Sequence, residues 1–162
     1  EGSPKYAKQM CDRFGGDALS AYAVSSGKAK AAPFAELAAH AEAFWEGCEA
    51  TDTPAVPICM TGWDHRPRVL NPVSWESYQL QQDADSYYYK RGTPDELASH
   101  IGRGVSWYRN HPGKSGTELV LIYAWNEFDE GGWLAPALPP PHGEGTARLD
   151  ALRKVLVTER KE

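Results

Sequence analysis

Hydrophobic positions along the chain follow two different periods. Phe34, Leu37, Ala38, Ala41, Phe44, Trp45 and Cys48 recur at steps of three and four, the repeat of an amphipathic helix. Pro33 suits the first turn of that helix, and Thr53-Pro54 breaks the pattern. A second helix is signalled by Thr93-Pro94-Asp95-Glu96, where Thr93 can cap, Pro94 fits the first turn and Glu96 can reach back in a capping box. Leu97, Ile101, Val105 and Tyr108 form its apolar stripe, and His111-Pro112-Gly113 ends it. A last helix carries Leu149, Leu152, Val155 and Leu156. Between these, Asp17 to Val24, Ala55 to Thr61 and Leu119 to Trp125 read as strands. The third is apolar on both faces, as expected inside a parallel sheet covered by helices. Pro57 would remove a donor from the second ladder and leaves that boundary open. Gly62 to Gly92 is a polar, aromatic excursion, and Gly131 to Gly145 a Pro/Gly-rich loop. Strands alternating with helices predict an α/β fold of parallel βα units with right-handed crossovers.

Composition narrows the class. The chain has 162 residues, 17 Lys+Arg against 22 Asp+Glu, and a formal net charge of −5, so nothing invites a nucleic acid. Its length and 41% apolar content suit one domain over residues 1–162, with an irregular start over 1–15. The longest strongly apolar run, Leu119 to Trp125, is far short of the roughly 20 residues that cross a bilayer. Glu1-Gly2-Ser3-Pro4 has neither an initiator Met nor a basic and apolar signal sequence. Cys11, Cys48 and Cys59 are odd in number and lack C-x-x-C spacing, so buried free thiols are expected; Cys59 inside a strand is no nucleophile. Six Trp and eight Tyr supply flat faces of the kind sugar clefts use, although most such residues in any protein are core.

Polar residues thicken after each strand: Tyr22 after the first; Trp63, Asp64, His65, Arg66 and Arg68 after the second; Trp125, Asn126, Glu127, Asp129 and Glu130 after the third. In parallel α/β folds the C-terminal strand ends share one edge, and ligand sites gather there. Glu127 and Glu130 lie three apart, so a helical turn would aim both carboxylates at one pocket. Two close carboxylates do not both ionise freely, which supplies an acid and a base from one residue type, as glycoside hydrolysis requires. E-x-x-E is also a common solvated acidic turn; its setting after an apolar strand, between Trp125 and a Gly pair, brings the chemical reading level with that one. Trp63 could form a sugar-stacking wall, with Asp64 and Arg66 on hydroxyls, or Asp64 and Arg66 could pair internally and stiffen the loop. A metal at His65 and Asp64 lacks a third ligand at convincing spacing. Tyr87-Tyr88-Tyr89 reads as packing, and His40, His100, His111 and His142 as helix-surface or loop residues.

Y-A-W-N-E-F-D-E-G-G-W-L-A-P (123–136) resembles the W-N-E-W-x-E-G-x-x-L-E-P signature of glycoside hydrolase family 99 and its relatives, including the WbsX-like proteins of bacterial polysaccharide clusters. G-W-D-H-R-P-R (62–68) is similar to their G-W-D-N-x-x-R stretch, and Y-Y-K-R-G-T-P-D-E-L (88–97) to the segment before their penultimate helix. The resemblance implies a (β/α)8 barrel that cleaves α-mannosidic linkages with retention, without metal or organic cofactor. It also implies Glu127 as the base assisting the sugar 2-hydroxyl and Glu130 as acid and then base; sugar contacts are expected from the rim residues Tyr22, Trp63, Asp64, Arg66, Trp125, Asn126 and Trp133. Phe128, Asp129, His65 and Ala135 depart from the usual residues. A barrel takes about 250 residues, roughly 31 per βα unit. The expectation is therefore the last three units of an incomplete TIM barrel, its open edges met by the missing part or by a second copy. The expected function is a glycosidase acting on a glycan or polysaccharide. The alternatives are a non-catalytic carbohydrate-binding or polysaccharide-assembly protein and an inactive fragment. The two functional readings separate on whether Glu127 and Glu130 face an open pocket or are tied to Arg66 or Arg68.

Overall fold

A computed structural model describes residues 3–25, 30–75, 88–115, 118–140 and 143–159. Tyr87 and His142 lie outside these ranges, as does much of the 62–92 excursion.

The elements run α1 (Pro4–Phe14), β1 (Lys30–Ala32), α2 (Phe34–Glu49), β2 (Ile58–Met60), α3 (Arg66–Leu70), β3 (Tyr88–Tyr89), α4 (Pro94–Asn110), β4 (Leu121–Tyr123), β5 (Asn126–Glu127), a 3-10 turn (Phe128–Glu130), β6 (Gly132–Trp133) and α5 (Ala147–Glu159). The fold is mixed α/β with small parallel sheets, β1 with β3 and β2 with β4, and among the described residues they do not close into a barrel.

The helices follow local rules. α2 buries all seven residues of its predicted stripe. α4 carries the full capping box: the Thr93 hydroxyl accepts from the Glu96 amide at 3.2 Å, and the Glu96 carboxylate accepts from the Thr93 amide at 2.8 Å. Leu97, Ile101 and Val105 are buried on its core face, joined by Trp107, while Tyr108 is half-buried. α5 packs on α4, where a Cβ at Gly102 would come within 2.7 Å of Val155.

Several expectations are corrected. The start of the chain is not irregular: Ser3 caps α1 by accepting from the Tyr6 amide at 3.2 Å, Pro4 opens it, and Gly15 ends it at φ 69°. No residue of α1 is fully buried, so it leaves too sparse an apolar stripe to read. Residues 17–24 do not form a strand. Leu19 makes one bridge to Ala55, after which the Ser20 hydroxyl donates to the Val56 carbonyl in place of a backbone donor. β2 begins just after Pro57, which puts the missing donor outside the ladder. β4 is shorter and wetter than predicted. Tyr123 is buried, but Leu121 is exposed, because β2 is its one ladder partner among the described residues. His100, expected on a surface, is fully buried.

The core gathers between α2, α4 and the β2–β4 pair, around Leu37, Phe44, Trp45, Ile58, Met60, Leu97, Ile101 and Tyr123. His100 sits inside it, stacked on Trp45 with ring centroids 5.6 Å apart. Its Nε2 accepts from the Met60 amide at 3.1 Å, which leaves the proton on Nδ1 to donate to Glu42 at 2.8 Å. Burial works to raise Glu42, but hydrogen bonds from His100 and Arg103 outweigh it and hold the carboxyl below its usual range.

Candidate functional site

Parallel pairing of β2 and β4 brings their C-terminal ends side by side, in the register Met60 to Tyr123. Thr61 fastens the exits: its hydroxyl donates to the Tyr123 carbonyl at 2.7 Å and accepts from the Ala124 amide at 3.1 Å. The acidic turn then folds back over the end of β2. The Asp64 amide donates to the Glu130 carbonyl at 2.7 Å, and a Cβ at Gly62 would lie 1.8 Å from the Gly131 carbonyl oxygen, so only glycine permits this approach. Gly131 takes φ 76°, the left-handed conformation that closes the turn. Two glycines thus let two backbone segments meet where the chemistry-bearing side chains emerge.

Glu130 is buried. It accepts from the Tyr123 hydroxyl and from Arg68 Nη1, and His65 Nε2 lies 3.8 Å away. Glu127 is more open; it accepts from the Tyr22 hydroxyl at 3.3 Å and from Arg68 Nη2 at 3.3 Å. Arg68 Nε donates to Asp129 at 2.8 Å. One guanidinium on α3 therefore touches three carboxylates of one turn, and Glu127 and Glu130 are no farther apart than its fork can span. The Arg68 hydrogen bond is the main reason the Asp129 carboxyl lies below its ordinary value. Partial burial and then the charges of Glu127 and Glu130 push the Tyr22 phenol up.

The other expected contacts divide into groups. Trp63 is half-buried, packed against His65 at 4.3 Å and Tyr123 at 5.5 Å, and so backs the acidic turn. Asp64 and Arg66 pair with each other, at 2.9 Å from Nε and 2.7 Å from Nη2, and the Arg66 guanidinium lies 3.5 Å from the Tyr88 ring centre. Trp133 rests on the Arg148 guanidinium at 3.7 Å. Trp63, Asp64, Arg66 and Trp133 border a common hollow of about 330 Å³. Trp125 and Asn126 are exposed and do not line this hollow. Among the described residues no three His, Cys, Asp or Glu side chains are grouped to hold a metal ion.

Tyr123, Thr61 and Arg148 were not singled out by sequence reasoning, whereas Arg68 was named, with Arg66, as a partner that could tie up the acidic pair. Arg68 stands in the G-W-D-H-R-P-R stretch, but nothing local distinguishes it from Arg66 as the partner of the acidic turn. Tyr123 ends an apolar strand, where its ring reads as core and its hydroxyl gives no separate signal. Burial of two thiols matched expectation: Cys48 is pushed up to about 11 by burial, and Cys59 is pushed up further, so neither is a ready nucleophile.

Comparison with known proteins finds no match to any family model, to any curated protein or to any solved structure. The functional reading therefore rests on the geometry of this chain and on the motif resemblance above.

Proposed function

We propose that the chain is the sugar-processing part of a retaining glycoside hydrolase related to family 99, acting on α-mannoside-type glycans, and that it corresponds to the C-terminal βα units of a TIM barrel. The observation that carries this is the convergence of Glu127 and Glu130 on one point at the strand ends. In this reading Glu127, the more open carboxylate, takes the proton of the sugar 2-hydroxyl. The oxygen so freed bonds to C1 as the C1–leaving-group bond breaks, and Glu130 gives the leaving group a proton. Glu130 then deprotonates the water that adds to C1, the C1–O2 bond breaks, and Glu127 returns its proton to the 2-oxygen. Tyr22 orients Glu127, Tyr123 and Arg68 hold Glu130, and Trp63 walls the site. Arg68 must swing away from the carboxylates, or be displaced by substrate hydroxyls, before a proton can move.

Both carboxylates are tied to Arg68, the arrangement expected of a second reading, in which Arg68 keeps them paired and the chain binds glycans without turnover. An α-mannoside hydrolysis screen with a parallel glycan array separates the two. The hydrolase reading expects Glu127→Gln and Glu130→Gln each to lower turnover by about 10²–10⁴-fold. Unchanged turnover in both variants refutes it, and array binding without any turnover selects the binding role.

A further inference from the structure

The 330 Å³ hollow beside the acidic turn differs from it in charge. Its walls are aromatic faces of Trp63, Tyr89, Phe128 and Trp133, and two arginines, Arg66 and Arg91, stand at its border. The volume is at the small end of ligand pockets, suited to a single sugar ring rather than a long chain. Asp64 is engaged by Arg66, as described. Glu144 is shared: one oxygen faces Arg91 Nε at 3.2 Å and the other accepts from Arg148 Nε at 2.8 Å. Among the described residues, two carboxylates thus serve the three guanidiniums of Arg66, Arg91 and Arg148. Arg91 is the least engaged of the three. Arg148 is buried beneath Trp133, with hydrogen bonds to the Thr61 and Trp133 carbonyls. Arg91 is 60% exposed in its side chain, and its guanidinium makes no hydrogen bond among the described residues.

A flat aromatic wall with a guanidinium at its edge matches a pyranose that carries a carboxylate, since the ring can lie on the indole while the carboxylate takes the planar fork. We propose that this hollow is a subsite for a hexuronate residue of the glycan, with Arg91 as the group that selects it. The subsite rests on the sugar reading above and extends it to an acidic polysaccharide.

Titration of the chain with D-glucuronate, D-glucose and acetate, followed by NMR, tests it. Glucuronate is expected to bind about tenfold more tightly than glucose, the scale of a charge-assisted fork. Arg91→Ala should bring that ratio near one, and Arg91→Lys should leave it in between; Arg91 is exposed enough for both variants to fold, which their melting temperatures would verify. Equal binding of glucuronate and glucose, or a ratio untouched in Arg91→Ala, overturns the subsite while the sugar reading stands. Acetate competing as well as glucuronate shows a plain anion site and overturns it as well. No binding of either sugar, together with inactivity in the α-mannoside screen, overturns both readings.

Discussion

Two ionic nodes in this molecule use similar side chains to opposite ends. In the core, one carboxylate, Glu42, meets two partners: His100 at 2.8 Å and Arg103 at 2.7 Å. Both ring nitrogens of His100 are used, its ring is stacked, and the node ties α2 to α4 and to the backbone of β2. At the strand ends, three carboxylates share one guanidinium, Arg68. Among the described residues the first node is balanced, Glu42 against Arg103, whereas the second carries surplus negative charge; each reaches solvent through a carboxylate, Glu42 at 29% and Glu127 at 30% exposed. A balanced node around a buried imidazole holds elements in register, because every polar group has its partner and none gains by moving. An unbalanced one at a rim has acceptors to spare for donors that arrive from outside, and sugar hydroxyls are such donors.

The largest effect should come from emptying the rim node of its cation. Arg68→Ala leaves Glu130 buried without its guanidinium and is expected to cost about 3 kcal/mol in urea unfolding, because a stranded buried charge is worse than no pair. Adding Glu130→Gln to that variant should recover part of the loss; if the double variant is no more stable than the single, Glu130 and Arg68 are not coupled.

His100→Ala should cost somewhat less, about 2 kcal/mol, by opening a cavity under Trp45 and orphaning the Met60 amide. The tryptophan emission of the folded state should shift with it. Arg103→Ala, in contrast, removes a half-exposed partner and should change stability by about 0.5 kcal/mol or less. A large loss there would mean that Arg103, rather than His100, carries the core node.

The smallest effect is a pH slope. Glu42 and Asp129 both titrate below their ordinary values of 4.5 and 3.8 in the folded chain. Their contribution is therefore fully present above those values and is lost as pH falls through the lower folded ones. Melting temperature should stay level with respect to these two groups down to about pH 5 and then fall. Glu42→Gln should flatten part of that fall.

What was legible in the sequence follows from the range of the interactions involved. The stripe of α2 and the capping box of α4 are contacts within one or two turns, so spacing alone reveals them. α1 escaped because none of its residues is fully buried and only Ala7 and Cys11 pack partly against the core, which leaves too sparse a stripe for periodicity to detect. The gathering of acids and aromatics at one rim was legible from the order of elements, since parallel strands must end on one edge. Pairing at that rim was not. Arg66 and Arg68 are two residues apart in one motif, and the turn of α3 sends the first back to Asp64 and the second across to the acidic turn, 61 residues on at Asp129.

By itself the sequence determined the three longest helices, the capping box of α4, and which side chains have chemistry to offer. The tertiary structure decided which of those side chains meet. It gave Glu130 to Arg68 and Tyr123, drew His100 into the core, and left Leu121 exposed on a strand with one neighbour among the described residues. Helical periodicity is a property of residues a few positions apart, whereas ion pairing and burial depend on segments brought together only once the chain has folded.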